Sequence, residues 1–184
     1  MPFEYHPEEF WTAHGPNLAP PGTSSPEQSA VLKELGLLIR DLEEIISVID
    51  VGCGQGRLAA FIAEVLPNAS YSGVDLAQAQ LDGTARVQPE GEYYLSKLQD
   101  FQPGLKWDLV LCSEVLMHIP PNEMHLACQN LLAITGKYLI TIDWTRPLTV
   151  KTAPWNWLHA YREFLGEPDV EIPSGNQSIF LFTP

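Results

Sequence analysis

The stretch Ile49-Asp50-Val51-Gly52-Cys53-Gly54-Gln55-Gly56-Arg57 decides the fold. The residues leading into it, Ser47 to Val51, read SVIDV, the near-continuous apolar composition of a parallel strand buried on both faces. After it, Leu58, Phe61, Ile62 and Val65 recur on one side of a helix expected over residues 57–66, which Pro67 and Asn68 end. Glycines at a strand-to-helix turn permit a tight bend. They also let a ligand approach the backbone at a helix N-terminus.

Outward from this turn, strands and helices alternate. Strands are expected at residues 71–74, 93–95, 108–112, 138–142 and 179–182, and helices at 78–85, 122–133 and 155–165. Upstream, Ser25, Pro26 and Gln28 form a helix start with an N-cap, a proline at the first helical position and a capping-box partner. The helix that follows shows one apolar face of Val31, Leu32, Leu35, Leu38, Ile39 and Leu42. Residues 1–25 are rich in Pro and Gly, with a short helix near 7–13, and read as an irregular N-terminal lid or tail. The alternation predicts an α/β fold, a doubly wound and mostly parallel sheet with right-handed crossovers, in a single domain over 1–184.

A glycine turn alone also occurs in dinucleotide enzymes. Here Asp75 closes the next strand about 20 residues on, where a carboxylate accepts hydrogen bonds from a ribose diol. Turn and carboxylate together point to an adenosine-containing ligand. The nicotinamide fingerprint G-x-G-x-x-G is not met, because Arg57 stands where its third glycine belongs. Asp50, two places before the first glycine, suits an ammonium group and would be a poor neighbour for pyrophosphate. A phosphate-loop Lys-Ser/Thr pair is absent.

These residues resemble the class I S-adenosylmethionine-dependent methyltransferases. Asp50-x-Gly52-x-Gly54-x-Gly56 is similar to their first motif, Ser72-Gly73-Val74-Asp75 to their second, and the run from Trp107 to Ile119 to the fourth-strand motif of the small-molecule members. The likeness covers about residues 47–143. It implies a seven-stranded sheet of order 3-2-1-4-5-7-6 with an antiparallel last strand, S-adenosyl-L-methionine as cofactor, and methyl transfer by direct displacement. It further implies a cofactor site drawn from Asp50, Gly52, Cys53, Gly54, Gly56, Asp75, Leu76, Lys97, Leu98, Ser113 and Glu114. The family often places an Asp after the third strand for the adenine amino group. Lys97 aligns there and cannot accept that bond, so backbone groups near Lys97 and Leu98, or Gln99 or Asp100, are the alternatives. Met117 stands where relatives often carry Glu.

For catalysis, His118 follows the fourth strand and reads as a general base, or equally as a capping or core histidine. His159, Tyr161 and Asp143 are further candidates, within or beside a substrate-side segment over 144–175. Trp155 and Trp157 read as packing residues. Tyr5 and Trp11 read as a lid or as packing of the tail.

The formal charge is −13, from 10 basic and 23 acidic side chains. Such a surface repels a phosphate backbone, so the expected acceptor is a small molecule and not nucleic acid. With no apolar run of spanning length and no basic, apolar leader, a cytoplasmic protein without membrane contact is expected. Cys53, Cys112 and Cys128 lack metal-ligand spacing; Cys112 and Cys128 read as small core residues, and Cys53 as a small residue of the glycine loop and not a nucleophile. A non-catalytic S-adenosylmethionine-binding or scaffolding protein on the same fold is the alternative.

Overall fold

The computed structural model describes residues 5–17, 20–145 and 154–184. Parts of the expected lid (residues 1–4, 18 and 19) and of the substrate-side segment (residues 146–153) lie outside the described residues.

The chain enters through α1 (Pro7–His14) and a 3-10 turn (Gly15–Asn17), then α2 (Pro26–Arg40). The capping box forms as expected: Gln28 N donates to Ser25 Oγ at 3.2 Å, and Ser25 N donates to Gln28 Oε1 at 3.0 Å. There follow β1 (Ser47–Val51), α3 (Arg57–Val65), β2 (Ser70–Asp75), α4 (Gln78–Val87), β3 (Glu92–Leu95) and β4 (Trp107–Ser113). The chain finishes with α5 (Met124–Ile134), β5 (Thr135–Trp144), α6 (Tyr161–Leu165), β6 (Val170–Ser174) and β7 (Gln177–Phe182).

The seven strands pair in the order β3-β2-β1-β4-β5-β7-β6. β3 through β5 are parallel neighbours, and β7 runs antiparallel to both β5 and β6. This is the order that the resemblance implies. Because successive strand residues face opposite sides, the sheet carries two cores. Ile49, Val51, Val110, Cys112 and Leu139 pack with Leu131 and Ala127 of α5 on one face. Val48, Leu109, Leu111, Ile140 and Ile142 pack with Leu35 of α2 and Ile62 of α3 on the other. Each such fully buried Leu or Ile contributes roughly 1.5–3 kcal/mol relative to exposure.

Two elements depart from the sequence expectations. β6, the seventh strand that the resemblance implies, has no local pattern that locates it: its VEIPS sequence buries no residue fully and carries Pro173, both signs of an edge strand. The helix expected over 155–165 is confined to Tyr161–Leu165. Trp155 and Trp157 both pack on the N-terminal aromatics, Trp155 with Phe10 at 4.6 Å and Trp157 with Tyr5 at 5.8 Å between ring centroids. Residues two apart do not share a helix face, so this packing requires a non-helical path. No helix among the described residues is long and apolar enough to cross a membrane.

Candidate functional site

β1 lies between β2 and β4, and the connections leave it in opposite directions. Open α/β sheets bind ligands at such a switch point, outside the carboxyl ends of the strands. A cavity of about 420 Å³ opens there, lined by the ends of β1, β2 and β4, by the segment after β3, and by α1.

The glycine turn forms its floor. Gly52, Gly54 and Gly56 all take positive φ, at 72°, 56° and 82°. A side chain at Gly52 would collide with Val115 Cγ2 at 2.3 Å. A Cβ at Gly54 would meet nothing closer than Gly52 O at 3.9 Å, so the turn leaves an open cradle at the cavity. Gly56 lies behind the cavity wall, where it starts α3 and presses on Thr84 of α4.

Asp75 ends β2 and lines the cavity beside Leu76. Its Oδ2 accepts Gly54 N–H and its Oδ1 accepts Ala77 N–H, both at 3.0 Å. The carboxylate is thereby oriented, with lone pairs left for a ligand diol. Burial pushes its pKa up, against the pull of the backbone N–H groups of Ala77, Gly54 and Leu76. Asp50 is not on the cavity surface. It lies beneath the turn, 2% exposed, where Oδ2 accepts the Tyr71 hydroxyl at 3.0 Å. Burial pushes its carboxyl up to about 7, opposed by the Tyr71 bond and the Arg57 charge. Cys53 lines the cavity, but burial and then the nearby Asp50 and Asp75 carboxylates raise its thiol far above the range of a reactive thiolate.

Beyond β3, Ser96, Lys97, Leu98 and Gln99 line the cavity and Asp100 does not. Lys97 pairs with Glu8 of α1 at 2.8 Å. Asn130 of α5 donates to the Leu98 and Gln99 carbonyls at 2.9 and 2.8 Å, which sets the shape of this segment.

At the end of β4, Glu114 takes φ 58°, a left-handed conformation uncommon for a residue with a side chain. Three donors hold it: Arg57 Nη1 at 2.7 Å and Gln28 Nε2 at 2.9 Å on Oε2, and Gln177 Nε2 at 2.6 Å on Oε1. Burial raises its pKa, but Arg57 and the two amides outweigh burial and leave it low. Arg57 also donates to Ser113 Oγ at 2.9 Å. Gln28 and Gln177 are separated from Glu114 by long stretches of chain, so no local sequence signal marks them.

The structure brings His118 to the cavity and leaves His159, Tyr161 and Asp143 off it. His118 Nδ1 lies 3.4 Å from the Trp155 carbonyl, and burial lowers its pKa. His159 Nε2 contacts the Ile119 carbonyl at 3.0 Å. Tyr161 is turned into the core against Phe180, with its hydroxyl unpartnered. Asp143 is wholly buried and accepts Met117 N–H at 3.2 Å, so the three are placed as packing and positioning groups. Tyr5 and Trp11, expected as lid or tail packing, line the cavity.

A family model described as "Methyltransferase domain" matches residues 49–138. The chain is 24% identical over 148 residues to trans-aconitate 2-methyltransferase of Escherichia coli, covering 71% of this chain and 59% of that protein. It therefore spans less than two thirds of the length of the curated relatives it matches. Among solved structures it is similar to magnesium protoporphyrin IX methyltransferase from Synechocystis PCC 6803 with bound S-adenosylhomocysteine. That likeness has a TM-score of 0.72 and 16% identity, over 95% of this chain and 96% of that one. It is also similar to the N-methyltransferase NodS from Bradyrhizobium japonicum WM9 in complex with S-adenosyl-L-homocysteine, with a TM-score of 0.67 and 16% identity, over 87% and 88% of the two chains. The family match falls on the glycine turn and the motifs after it, and the fold is like that of these methyltransferases: over residues 49–138 the chain is similar to a methyltransferase domain.

Proposed function

We propose that the protein transfers a methyl group from S-adenosylmethionine to a small-molecule acceptor in the cytoplasm, by direct displacement. The single observation that carries this reading is the cavity itself, with the oriented Asp75 carboxylate and open Gly54 cradle at one end and His118 and Trp11 at the other. Its volume falls in the range of small-molecule sites.

When bound, S-adenosylmethionine supplies a methyl group already activated on a sulfonium. The chain's own residues hold, orient and exclude water. Asp75 accepts hydrogen bonds from the ribose hydroxyls. The turn at Gly52–Gly54 lets the backbone pass close beneath the ligand. The negative field of the ionised Glu114 favours a cationic amino-acid end. Ser96 to Gln99 form the base-binding wall, with carbonyls that Asn130 keeps in place.

His118 is neutral at pH 7 because burial disfavours its charged form. With Nδ1–H directed at the Trp155 carbonyl, Nε2 is the basic nitrogen and takes the proton of an acceptor hydroxyl. α1 covers the cavity, and the resulting exclusion of water and alignment of the two reactants supply a large part of the acceleration.

Calorimetry with S-adenosylmethionine, S-adenosylhomocysteine and NAD tests the cofactor. Micromolar binding of the first two and none of NAD is expected, and NAD as the tighter ligand overturns the assignment. Turnover is then read as S-adenosylhomocysteine formed over a panel of small acceptors. The panel includes trans-aconitate, the acceptor in the name of the curated relative. Cofactor binding without turnover of any acceptor would make the chain a binding protein.

A further inference from the structure

We propose that the acceptor is a flat, uncharged aromatic molecule bearing a hydroxyl or amine, seated against Trp11 and His118, and that polycarboxylates are excluded. The inference rests on the methyl-transfer reading above and narrows it to a substrate class.

The first argument is the wall. Trp11 and His118 meet edge to face with centroids 4.8 Å apart, and both line the cavity. Trp11 is fixed in place, because its Nε1 donates to the Tyr5 hydroxyl at 2.8 Å and its ring packs edge-on against Phe10 at 5.1 Å. Phe10 and Tyr5 in turn rest on Trp155 and Trp157. Trp157 N–H donates to the Met117 carbonyl at 2.8 Å, which ties this layer to the residue before His118. The rings are therefore held in position before a ligand arrives. Ordered rings bind another π-system with little further loss of side-chain freedom.

The second argument is charge. Among the described residues, Arg57 and Lys97 are the cations on the cavity, and each already faces a carboxylate of the chain. Arg57 pairs with Glu114 at 2.7 Å and Lys97 with Glu8 at 2.8 Å. His118 is kept neutral by burial. A polyanion entering this space would give up its water without gaining a counter-charge, against the field of a chain at −13. A neutral donor fares differently. Asn156 stands on the cavity wall as an uncharged amide beside His118, and this part of the wall imposes no such cost on a molecule without charge.

The test is a titration of the protein saturated with S-adenosylhomocysteine, using β-naphthol and a quinolinol as probes and citrate as the polycarboxylate, read by calorimetry and by tryptophan fluorescence. The aromatic probes are expected to bind about tenfold or more tighter than citrate. With the protein kept saturated with S-adenosylhomocysteine, Trp11→Ala should weaken β-naphthol about tenfold, and Trp11→Phe should restore most of it. Glu8→Gln combined with Glu114→Gln removes the ion-pair partners of Lys97 and Arg57, and citrate affinity should rise. Citrate binding to the wild type as tightly as β-naphthol overturns the proposal, as does a Trp11→Ala variant with unchanged probe affinity. A protein that binds S-adenosylhomocysteine but no aromatic probe removes this inference alone. One that does not bind S-adenosylhomocysteine removes the methyl-transfer reading beneath it.

Discussion

Asp75 braces the backbone, and in the proposed reading it also holds the ribose of the cofactor. Its oxygens hold Gly54 N–H and Ala77 N–H, so the carboxylate braces the turn that forms the cavity floor. Asp75→Ala removes both the ribose acceptor and the brace. Hydrogen bonds to charged groups contribute ~1.5–3 kcal/mol, so cofactor affinity measured by calorimetry should fall about tenfold to a hundredfold. An unchanged dissociation constant would place the ribose elsewhere. His118 makes a different forecast. If it takes the proton of an acceptor hydroxyl, His118→Ala lowers kcat by ~10²–10⁴ and leaves S-adenosylhomocysteine affinity intact. Burial lowers its pKa, so the base stays competent through neutral pH and is lost only as acid protonates it. The wild-type rate should therefore fall along an acid limb that the variant lacks. A variant of normal stability and full activity would remove His118 from the chemistry.

At the scale of elements, α1 reaches the cavity only because its neighbours hold it down. The chain after α1 is stapled at two places: Gly22 N–H donates to the Gln55 carbonyl at 2.8 Å, and Gly15 sits against the Gln80 side chain, whose Oε1 accepts Gln55 Nε2 at 2.7 Å. A Cβ at Gly15 would fall 2.0 Å from Gln80 Nε2. The φ of Gly15 is −52°, so the backbone tolerates alanine and the collision alone drives the effect. Gln80 must turn away and give up its bond to Gln55, which contributes about 0.5–1.5 kcal/mol. Gly15→Ala should therefore loosen α1, raise proteolytic nicking before Pro26 and weaken the cofactor about twofold to tenfold, with little change in melting temperature. Unaltered proteolysis and affinity would show that α1 is not a cover.

At the scale of the whole molecule, buried carboxylates set the pH dependence of stability. Asp50 has an ordinary pKa of 3.8 and is pushed to about 7 by burial. Between about pH 4 and about pH 7 the folded chain therefore keeps a proton that the unfolded chain has lost. The Asp50 contribution is fully present below pH 4 and is lost as pH rises through 7. Asp75 and Asp143 shift in the same direction, each chiefly by burial. Asp50→Asn preserves an acceptor for the Tyr71 hydroxyl and removes the titration. At ~1.4 kcal/mol per pH unit, wild type should lose up to about 4 kcal/mol relative to the variant across that window. Urea unfolding of the ligand-free proteins at successive pH values checks this, and parallel stability profiles would show that Asp50 ionises as in water.

The strands and the turn were legible because their signals are local. SVIDV, DLVLC and YLITI carry the composition of doubly buried strands, and Gly52, Gly54 and Gly56 mark a turn that needs positive φ. Asp75 was legible because a carboxylate at a strand end is itself a local feature, and Ser25 with Gln28 because a capping box spans one turn of helix. β6 was not, since an edge strand with Pro173 and no fully buried residue has little pattern to read. Nor was the path of residues 154–160, where aromatic contacts with Tyr5 and with Phe10 of α1 outweigh a helical periodicity. The division runs through the site as well. Sequence alone determined the strand-turn-helix at the cavity floor and the acidic end of β2. Only the tertiary structure decided that Asp50 lies beneath the floor, that Lys97 turns to Glu8, and that Gln28 and Gln177 converge on Glu114. It also decided that His118, and not His159, Tyr161 or Asp143, reaches the cavity. The physical reason is one of range: backbone propensity and apolar period act within a few residues, whereas ion pairs, amide bonds and ring packing join side chains by distance in space, whatever their separation along the chain.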